Sequence, residues 1–450
     1  MGTIISIIFI AIVATLMVKK FYSHAILLIA GILMLIIAHF ISPISPFVNS
    51  SGFIGFDPFI MLSKSFSDTN AGVGLMIMVI GGFVAYIDKI GASTSLVYLA
   101  LKPLKMFKKY PYIAASLTIP IGQILYVCIP SAAGLALLLM ASVFPILVGL
   151  GISRISAVSV ITASTALCLG PASPTTVKST AIMDMDVVQY FINYQIPLTI
   201  PITIIMMIVY YFVNKKYDKK EVLINDEDSK DEIVLTAPLY YAIIPILPLI
   251  LLILFSDTFS FFSINIRIDT ISALFVSLMV GIIFEMIRKR DFKTSLKDMS
   301  VFWDGMGNIF KTVVTLIVAA EIFSQGLIHL GFIEGLLQFT ESLGFGGVGI
   351  GLVMAIIIFL AAMLMGSGNA AFFAFGPLIP DIATKLGLKT VSILLPMQFS
   401  ATLGRTVSPV SGVLIASANM AKVDVQQLVK RNFIPVIVTL ISMLIIQFIL

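Results

Sequence analysis

Hydroxyls, one amide and one arginine gather at four short interruptions in an otherwise apolar chain of 450 residues. Two are knots: Ile129-Pro130-Ser131-Ala132, and Met365-Gly366-Ser367-Gly368-Asn369. Two are breaks: Gly170-Pro171-Ala172-Ser173-Pro174-Thr175-Thr176, and Gly404-Arg405-Thr406-Val407-Ser408-Pro409-Val410-Ser411-Gly412. A helix restarting after such an interruption offers unbonded N–H groups and the positive end of its dipole to an anion. The freed carbonyls and the hydroxyls are hard oxygen donors that suit a small cation. Ser131, Ser173, Thr175, Thr176, Gly366, Ser367, Gly368, Asn369, Thr406, Ser408 and Ser411 are therefore candidate binding residues. Arg405 is the sharpest of the set. An arginine at mid-membrane costs at least about 2.5–3.5 kcal/mol, and its planar fork matches a carboxylate with two parallel bonds.

The other chemistry-bearing residues are sparse. Lys178 follows the first break and is either a second cationic contact or a side chain reaching for the interface, whereas Lys311 reads as interfacial. Asp88 stands at a span end beside Lys89, which leaves Glu321 as the one acid expected inside the membrane, there to carry a proton or to pair with a neighbour. Cys128 and Cys168 lie at no metal spacing, and His24, His39 and His329 form no ligand pair, so no metal or resident cofactor is expected beyond coupling to Na+ or H+. Ser367 in Gly-Ser-Gly has no histidine at an interior span position to act as its base, so no catalytic residues are expected and an intramembrane hydrolase is a remote alternative. Gly344–Gly351 reads as a turn into a hairpin; no phosphate-loop lysine follows it.

The elements that must hold these residues are membrane helices. Hydrophobic residues make up 59% of the chain and charged ones only 11%, against about 25% charged in a soluble domain. The first apolar run ends at Lys19-Lys20 with no charge before it, so it reads as a span rather than a secretory leader. Apolar runs predict an all-α polytopic protein with about ten full spans, near 2–18, 24–40, 72–90, 154–184, 196–213, 237–255, 269–287, 308–329, 390–420 and 432–450. Regions 111–149 and 346–386 each hold two apolar halves around a knot and read as re-entrant hairpins. Of the 28 lysines and arginines, Lys64, Arg267, Lys385 and Lys389 fall in outer loops and Lys178, Lys311 and Arg405 at membrane depth if both termini are outside. All the others, Arg431 among them, then lie inside, as the positive-inside rule requires.

The chain also repeats itself at a period of about 236 residues. Ser131 falls on Ser367, Gly151 on Gly387 and Ser164 on Ser400; small gaps then bring Ser173-Pro174 onto Ser408-Pro409, Asp186-Val187 onto Asp424-Val425, and Ile196-Pro197 onto Ile434-Pro435. Residues 1–213 and 237–450 thus read as two halves of five spans and one hairpin each, joined by a polar cytoplasmic linker over Lys215–Glu232. An odd count turns the second half upside down, the inverted-repeat plan of secondary transporters, with the binding site at the two symmetric breaks.

Gly366-Ser-Gly-Asn-Ala370 and Leu403-Gly-Arg-Thr-Val-Ser-Pro-Val-Ser-Gly412, with Phe144-Pro145 and Gly151-Ile-Ser-Arg154, resemble the anaerobic four-carbon dicarboxylate carriers of the DcuC family. The resemblance runs over nearly the whole chain. It implies an inner-membrane homodimer working as an elevator, with succinate, fumarate, malate or aspartate as substrates. Members of the family can carry an acid in the first break; this chain has Pro174-Thr175-Thr176 there, so the resemblance does not bring a coupling cation to that place. The alternative on the same fold is a carrier of another solute, a basic amino acid or a short-chain carboxylate. No nucleic-acid partner is expected.

Overall fold

The computed structural model describes residues 2–41, 45–47, 51–107, 109–219, 235–255, 266, 268–342 and 347–447. Among them every regular element is helical. The first half of the sequence forms α1 (Gly2–Val18), α2 (Ser23–Ile41), α3 (Asp57–Thr69), α4 (Leu75–Lys89), α5 (Ala92–Leu101), α6 (Pro111–Cys128), α7 (Ala132–Ser142), α8 (Phe144–Gly149), α9 (Arg154–Ser164), α10 (Pro174–Met183), α11 (Val187–Tyr190) and α12 (Ile196–Asp218). The second half forms α13 (Ile243–Leu254), α14 (Thr270–Lys289), α15 (Phe292–Lys297), α16 (Ser300–Ile309), α17 (Thr315–His329), α18 (Phe332–Ser342), α19 (Gly347–Met365), α20 (Gly368–Phe375), α21 (Ile379–Leu386), α22 (Thr390–Thr406), α23 (Gly412–Ala421) and α24 (Val425–Gln447).

Eight helical stretches among the described residues are long and apolar enough to cross a bilayer, and both arms of the first hairpin, Pro111–Cys128 and Ala132–Gly149, are among them. Several predicted spans are longer than their apolar runs. Three π-helical turns, Asn70–Gly74, Phe191–Gln195 and Phe310–Val314, join α3 to α4, α11 to α12 and α16 to α17. The predicted spans 196–213 and 308–329 are thereby parts of longer helices over Val187–Asp218 and Ser300–His329, whereas 72–90 is joined to α3 across a kink at Gly72, whose backbone is non-helical at φ −110° and ψ −108°. A wide turn adds a residue without ending the helix, and hydropathy does not register it. Likewise α24 starts at Val425, ahead of the expected 432, because Asp424 caps it. Of the expected linker, Lys215–Asp218 continue α12, while 220–232 lie outside the described residues, as do Arg267 and the start of the glycine-rich turn at 344–346.

Positions that fall on one another in the sequence register share uncommon local geometry. Gly151 and Gly387 both hold left-handed backbone, at φ +86° and +65°, a conformation that costs glycine nothing. Asp186 and Asp424 both cap the next helix: Asp186 Oδ1 accepts from the N–H groups of Val188 and Gln189 at 3.0 and 2.9 Å, and the Asp424 carboxylate accepts from those of Gln426 and Gln427 at 3.3 Å each.

By packing, the chain forms two compact units, each drawn from both halves of the sequence. The first comprises Met1–Leu75, Lys178–Asp184 and Phe310–Val410. Its helices meet through small residues, as membrane helices do when backbones must approach closely. A Cβ on Gly31 of α2 would stand 2.6 Å from the backbone nitrogen of Phe323 on α17, and one on Gly404 of α22 would stand 2.3 Å from the carbonyl oxygen of Phe359 on α19.

The second unit comprises Met76–Val177, Met185–Ile309 and Ser411–Leu450. There α12 packs on α24 and α6 on α9. The contact of α6 with α9 is again close: a Cβ on Gly122 would stand 2.3 Å from that of Ser164. Arg431, expected among the solvated cytoplasmic charges, is instead buried in α24, with Nη1 2.9 Å from Oδ1 of Asp218. The same carboxylate accepts from the hydroxyls of Ser153 and Ser156 at 2.7 Å each. A buried pair supplied with this many hydrogen bonds offsets its own desolvation. Glu285 is a second acid whose side chain is fully buried, in α14. It accepts from the Tyr241 hydroxyl at 2.8 Å and pairs with Arg288 and Lys289 at 2.8 and 2.7 Å. Both acids stand within a turn of basic residues at helix ends, a pattern that reads as solvated until the packing is known.

Candidate functional site

Both knots are helix starts capped by their serine. Ser131 has extended backbone, φ −125° and ψ 106°, and its hydroxyl accepts from the N–H of Gly134 at 3.1 Å. Ser367 has φ −138° and ψ 111°, and its hydroxyl accepts from the N–H of Ala370 at 3.2 Å. An N-cap of this kind satisfies one of the unbonded donors of the first turn and leaves others for water or a ligand. Gly366 turns the chain at φ +70°. Gly368 lets the start of α20 press on α22, since a Cβ there would stand 2.8 Å from the Ala401 carbonyl oxygen. Asn369 is half-buried in the first turn of α20.

Each knot packs on the broken helix of its own half. In the second unit, the arm of the first hairpin meets the first break: a Cβ on Gly170 would stand 3.1 Å from the Cα of Val127. In the first unit, Gly368 meets the last turns of α22 just ahead of the second break.

The breaks are displaced from where the sequence puts them. The first occupies 165–173, with α9 ending at Ser164 and α10 starting at Pro174. Thr175 and Thr176 therefore sit in the first turn of α10, because a proline whose missing N–H needs no partner is well placed to open a helix. The second occupies 407–411, so Gly404, Arg405 and Thr406 are the last turn of α22. The break begins just ahead of Pro409, which disfavours helix in the residue before it. Arg405 thus stands at the negative end of a helix dipole, where a cation is favoured, and is half-buried.

Polar side chains close the first break on itself. The Ser173 hydroxyl donates to the Cys168 carbonyl at 3.3 Å and lies 3.2 Å from the Thr175 hydroxyl. Gln195, fully buried, bridges the gap: its amide donates to the Thr176 hydroxyl at 2.9 Å and its carbonyl accepts from the Gly170 N–H at 3.0 Å. Sequence reasoning missed Gln195; its signal is an amide directly before Ile196-Pro197, which recurs without the amide as Phe433-Ile434-Pro435. At the second break the Ser408 hydroxyl accepts from the Val410 N–H at 3.3 Å, and the Thr406 hydroxyl donates back to the Thr402 carbonyl at 3.0 Å. Ser411 stands at the N-cap of α23 without making the cap bond. Among the described residues its buried hydroxyl has no hydrogen-bond partner.

Glu321 and Lys178 pair with each other. The Lys178 ammonium lies 3.2 Å from Glu321 Oε2, and the Gln325 amide donates to Oε1 at 3.3 Å. The next residue, Ser179, donates to Gln398 of α22 at 3.4 Å. Lys178, Glu321, Gln398 and Arg405 all belong to the first unit, in which α17 packs on α20 and α20 on α22.

Comparisons with known proteins agree with this architecture. Residues 1–450 match the model of the DcuC family, described as C4-dicarboxylate anaerobic carrier. A probable anaerobic C4-dicarboxylate transporter DcuC of Vibrio cholerae is 35% identical over 434 residues, 95% of this chain and 93% of the relative. The anaerobic C4-dicarboxylate transporter DcuC of Escherichia coli K12 is 33% identical over 437 residues, 96% of this chain and 93% of the relative. Among solved structures, the YdaH transporter of Alcanivorax borkumensis superposes with a TM-score of 0.63 at 14% identity, covering 94% of this chain and 97% of that one. MtrF of Neisseria gonorrhoeae, described among antimetabolite efflux pumps, gives 0.62 at 14% identity and 94% of each chain. At that identity the likeness is one of fold. With the match to the family model running over all 450 residues, the chain belongs to the DcuC family of anaerobic carriers and is a polytopic membrane transporter, not an enzyme.

Proposed function

We propose that this protein is a secondary transporter of C4-dicarboxylates (succinate, fumarate, malate and aspartate) in the bacterial inner membrane, working by efflux or exchange. The observation that carries this reading is a half-buried arginine in the last turn of α22, beside a helix break and close to a serine-capped helix start in the same unit. That is a carboxylate-binding arrangement: a bidentate fork with N–H donors near it. Arg405 holds one substrate carboxylate. Ser367, Gly368, Asn369, Thr406 and Ser408 in its unit supply the neutral donors and acceptors. The caps at Ser131 and Ser367, like those at Asp186 and Asp424, recur at matched places in the two halves, which supports two inverted repeats.

On that plan both 111–149 and 346–386 are re-entrant hairpins, both termini face outward, and an elevator motion in a homodimer moves the site. Direction follows from charge. Each elementary charge crossing 100 mV involves about 2.3 kcal/mol, so a dianion leaving a negative interior is driven by about twice that, and net uptake needs exchange or co-transported cations. Glu321 is the candidate coupling group for Na+ or H+. Its engagement by Lys178 counts against a basic amino acid as substrate, because the acid such a substrate would need already has a cation.

The test is counterflow in proteoliposomes. Vesicles loaded with succinate should accumulate labelled succinate and fumarate, with malate and aspartate competing and arginine or butyrate not. Uptake driven by internal arginine but not by internal succinate would overturn the reading.

A further inference from the structure

The Lys178–Glu321 pair is the feature that Arg405 and the capped helix starts leave unexplained. It is not sealed in the core: the two side chains are 13% and 25% exposed, so one side of the pair is open to exchange of partners. Glu321 keeps a second bond from Gln325 of its own helix. Ser179, next to Lys178, bonds Gln398 on α22 and so sets α10 beside that helix. From Gln398 to Arg405 is two turns of that helix, about 10.5 Å of rise. That interval is within the combined reach of a lysine side chain, an arginine side chain and a four-carbon chain with a carboxylate at each end.

We infer that Lys178 is the second cationic contact of the substrate, and that Glu321 occupies its ammonium while the site is empty. The inference rests on the dicarboxylate reading above. Glu321 then stands in for a substrate carboxylate. It spares Lys178 from being a part-buried cation without a partner, the costly state of such groups, and the incoming carboxylate must replace it. The arrangement also selects. A monocarboxylate that engages Arg405 has no second group to displace Glu321, whereas a dicarboxylate satisfies both cations, so discrimination comes from the bond that must be broken as much as from the one made.

Succinate and butyrate binding to purified full-length protein, followed by titration calorimetry, tests this with four variants. Lys178→Gln should weaken succinate by about 10- to 100-fold, the worth of one charge-assisted contact. Glu321→Gln should tighten it several-fold by removing the internal competitor. The decisive variant is the double, Lys178→Gln with Glu321→Gln, which leaves no charge stranded and so avoids the folding penalty of the lysine change alone. It should stay as weak for succinate as Lys178→Gln. If the double variant regains wild-type affinity, lysine merely neutralises Glu321 and this inference falls, while the dicarboxylate reading stands provided that Arg405→Ala abolishes binding. Failure of the wild type to bind any C4-dicarboxylate overturns the reading and the inference together.

Discussion

The two helix breaks are built on one plan and finished differently. At the first, 165–173, backbone and side chains bond one another: Gln195 bridges Gly170 and Thr176, and Ser173 bonds Cys168. No charged residue lies in it. At the second, 407–411, the connection is shorter, an arginine stands at its entry, and the Ser411 hydroxyl is buried at a helix start with no partner among the described residues. Irregular backbone in a membrane must be satisfied from within or by what enters a cavity. The first break takes the former course. The second leaves one buried hydroxyl, that of Ser411, without a partner among the described residues.

The largest effects should follow from Arg405. Arg405→Ala leaves a substrate carboxylate without its counter-charge and should abolish counterflow. Arg405→Lys keeps the charge but loses the fork, so succinate affinity should fall by about 10- to 100-fold. The first break has no residue whose loss should do this. Wild-type exchange by Arg405→Ala protein that inserts and elutes normally would reverse the comparison.

Next come the close approaches that hold each broken helix in place. Gly404→Val should clash with the Phe359 carbonyl, and Gly122→Val with Ser164, each destabilising by about 1–3 kcal/mol or more. Thermal melting in detergent checks this. Equal losses would show that the halves share their scaffold even though their breaks differ; a change confined to one would show that only that helix pair is tightly packed.

How much of this was legible in the sequence depends on range. The knots were readable because each declares itself within a few residues, and Ser131 and Ser367, singled out there as binding residues, prove to cap the helices that follow them. That helix restarts after each break was readable, though not its register: Pro174 and Gly412 open helices instead of lying in the breaks, and nothing local says that Arg405 and Thr406 stay helical. Partners far along the chain were not legible. Lys178 and Glu321 were each singled out, but that one neutralises the other depends on α10 and α17 packing together. Gln195 was passed over because the backbone it bonds lies in another element, across a connection that hydropathy does not describe. The π-helical turns left no trace in composition, so two helices were read short.

A smaller effect should separate stitching from binding. Gln195→Leu removes the bond to the Thr176 hydroxyl and leaves the Gly170 N–H without its side-chain partner, at a cost of about 1–3 kcal/mol for the buried N–H left unpaired. Melting temperature should fall while succinate affinity in the surviving folded protein changes little. A loss of affinity with no loss of stability would mean that the first break contacts the substrate as directly as the second.

The smallest change in stability, and the most informative contrast, should come from Ser411→Ala. At Ser131 and Ser367 the hydroxyl makes a cap bond, so alanine there should cost about 0.5–2 kcal/mol, as is usual for an N-cap. Ser411 occupies the same position at the start of α23 and makes no such bond. Removing its hydroxyl breaks nothing within the protein and takes away a buried polar group that has no protein partner, so the melting temperature should hold or rise slightly. If that hydroxyl is held for the substrate, succinate affinity should still drop several-fold, the worth of one neutral hydrogen bond. Stability and binding then move in opposite directions at Ser411, and stability falls at Ser131 and Ser367. Parallel falls in melting temperature at all three serines would show that Ser411 is an ordinary cap in the working protein, and that the second break is as closed on itself as the first.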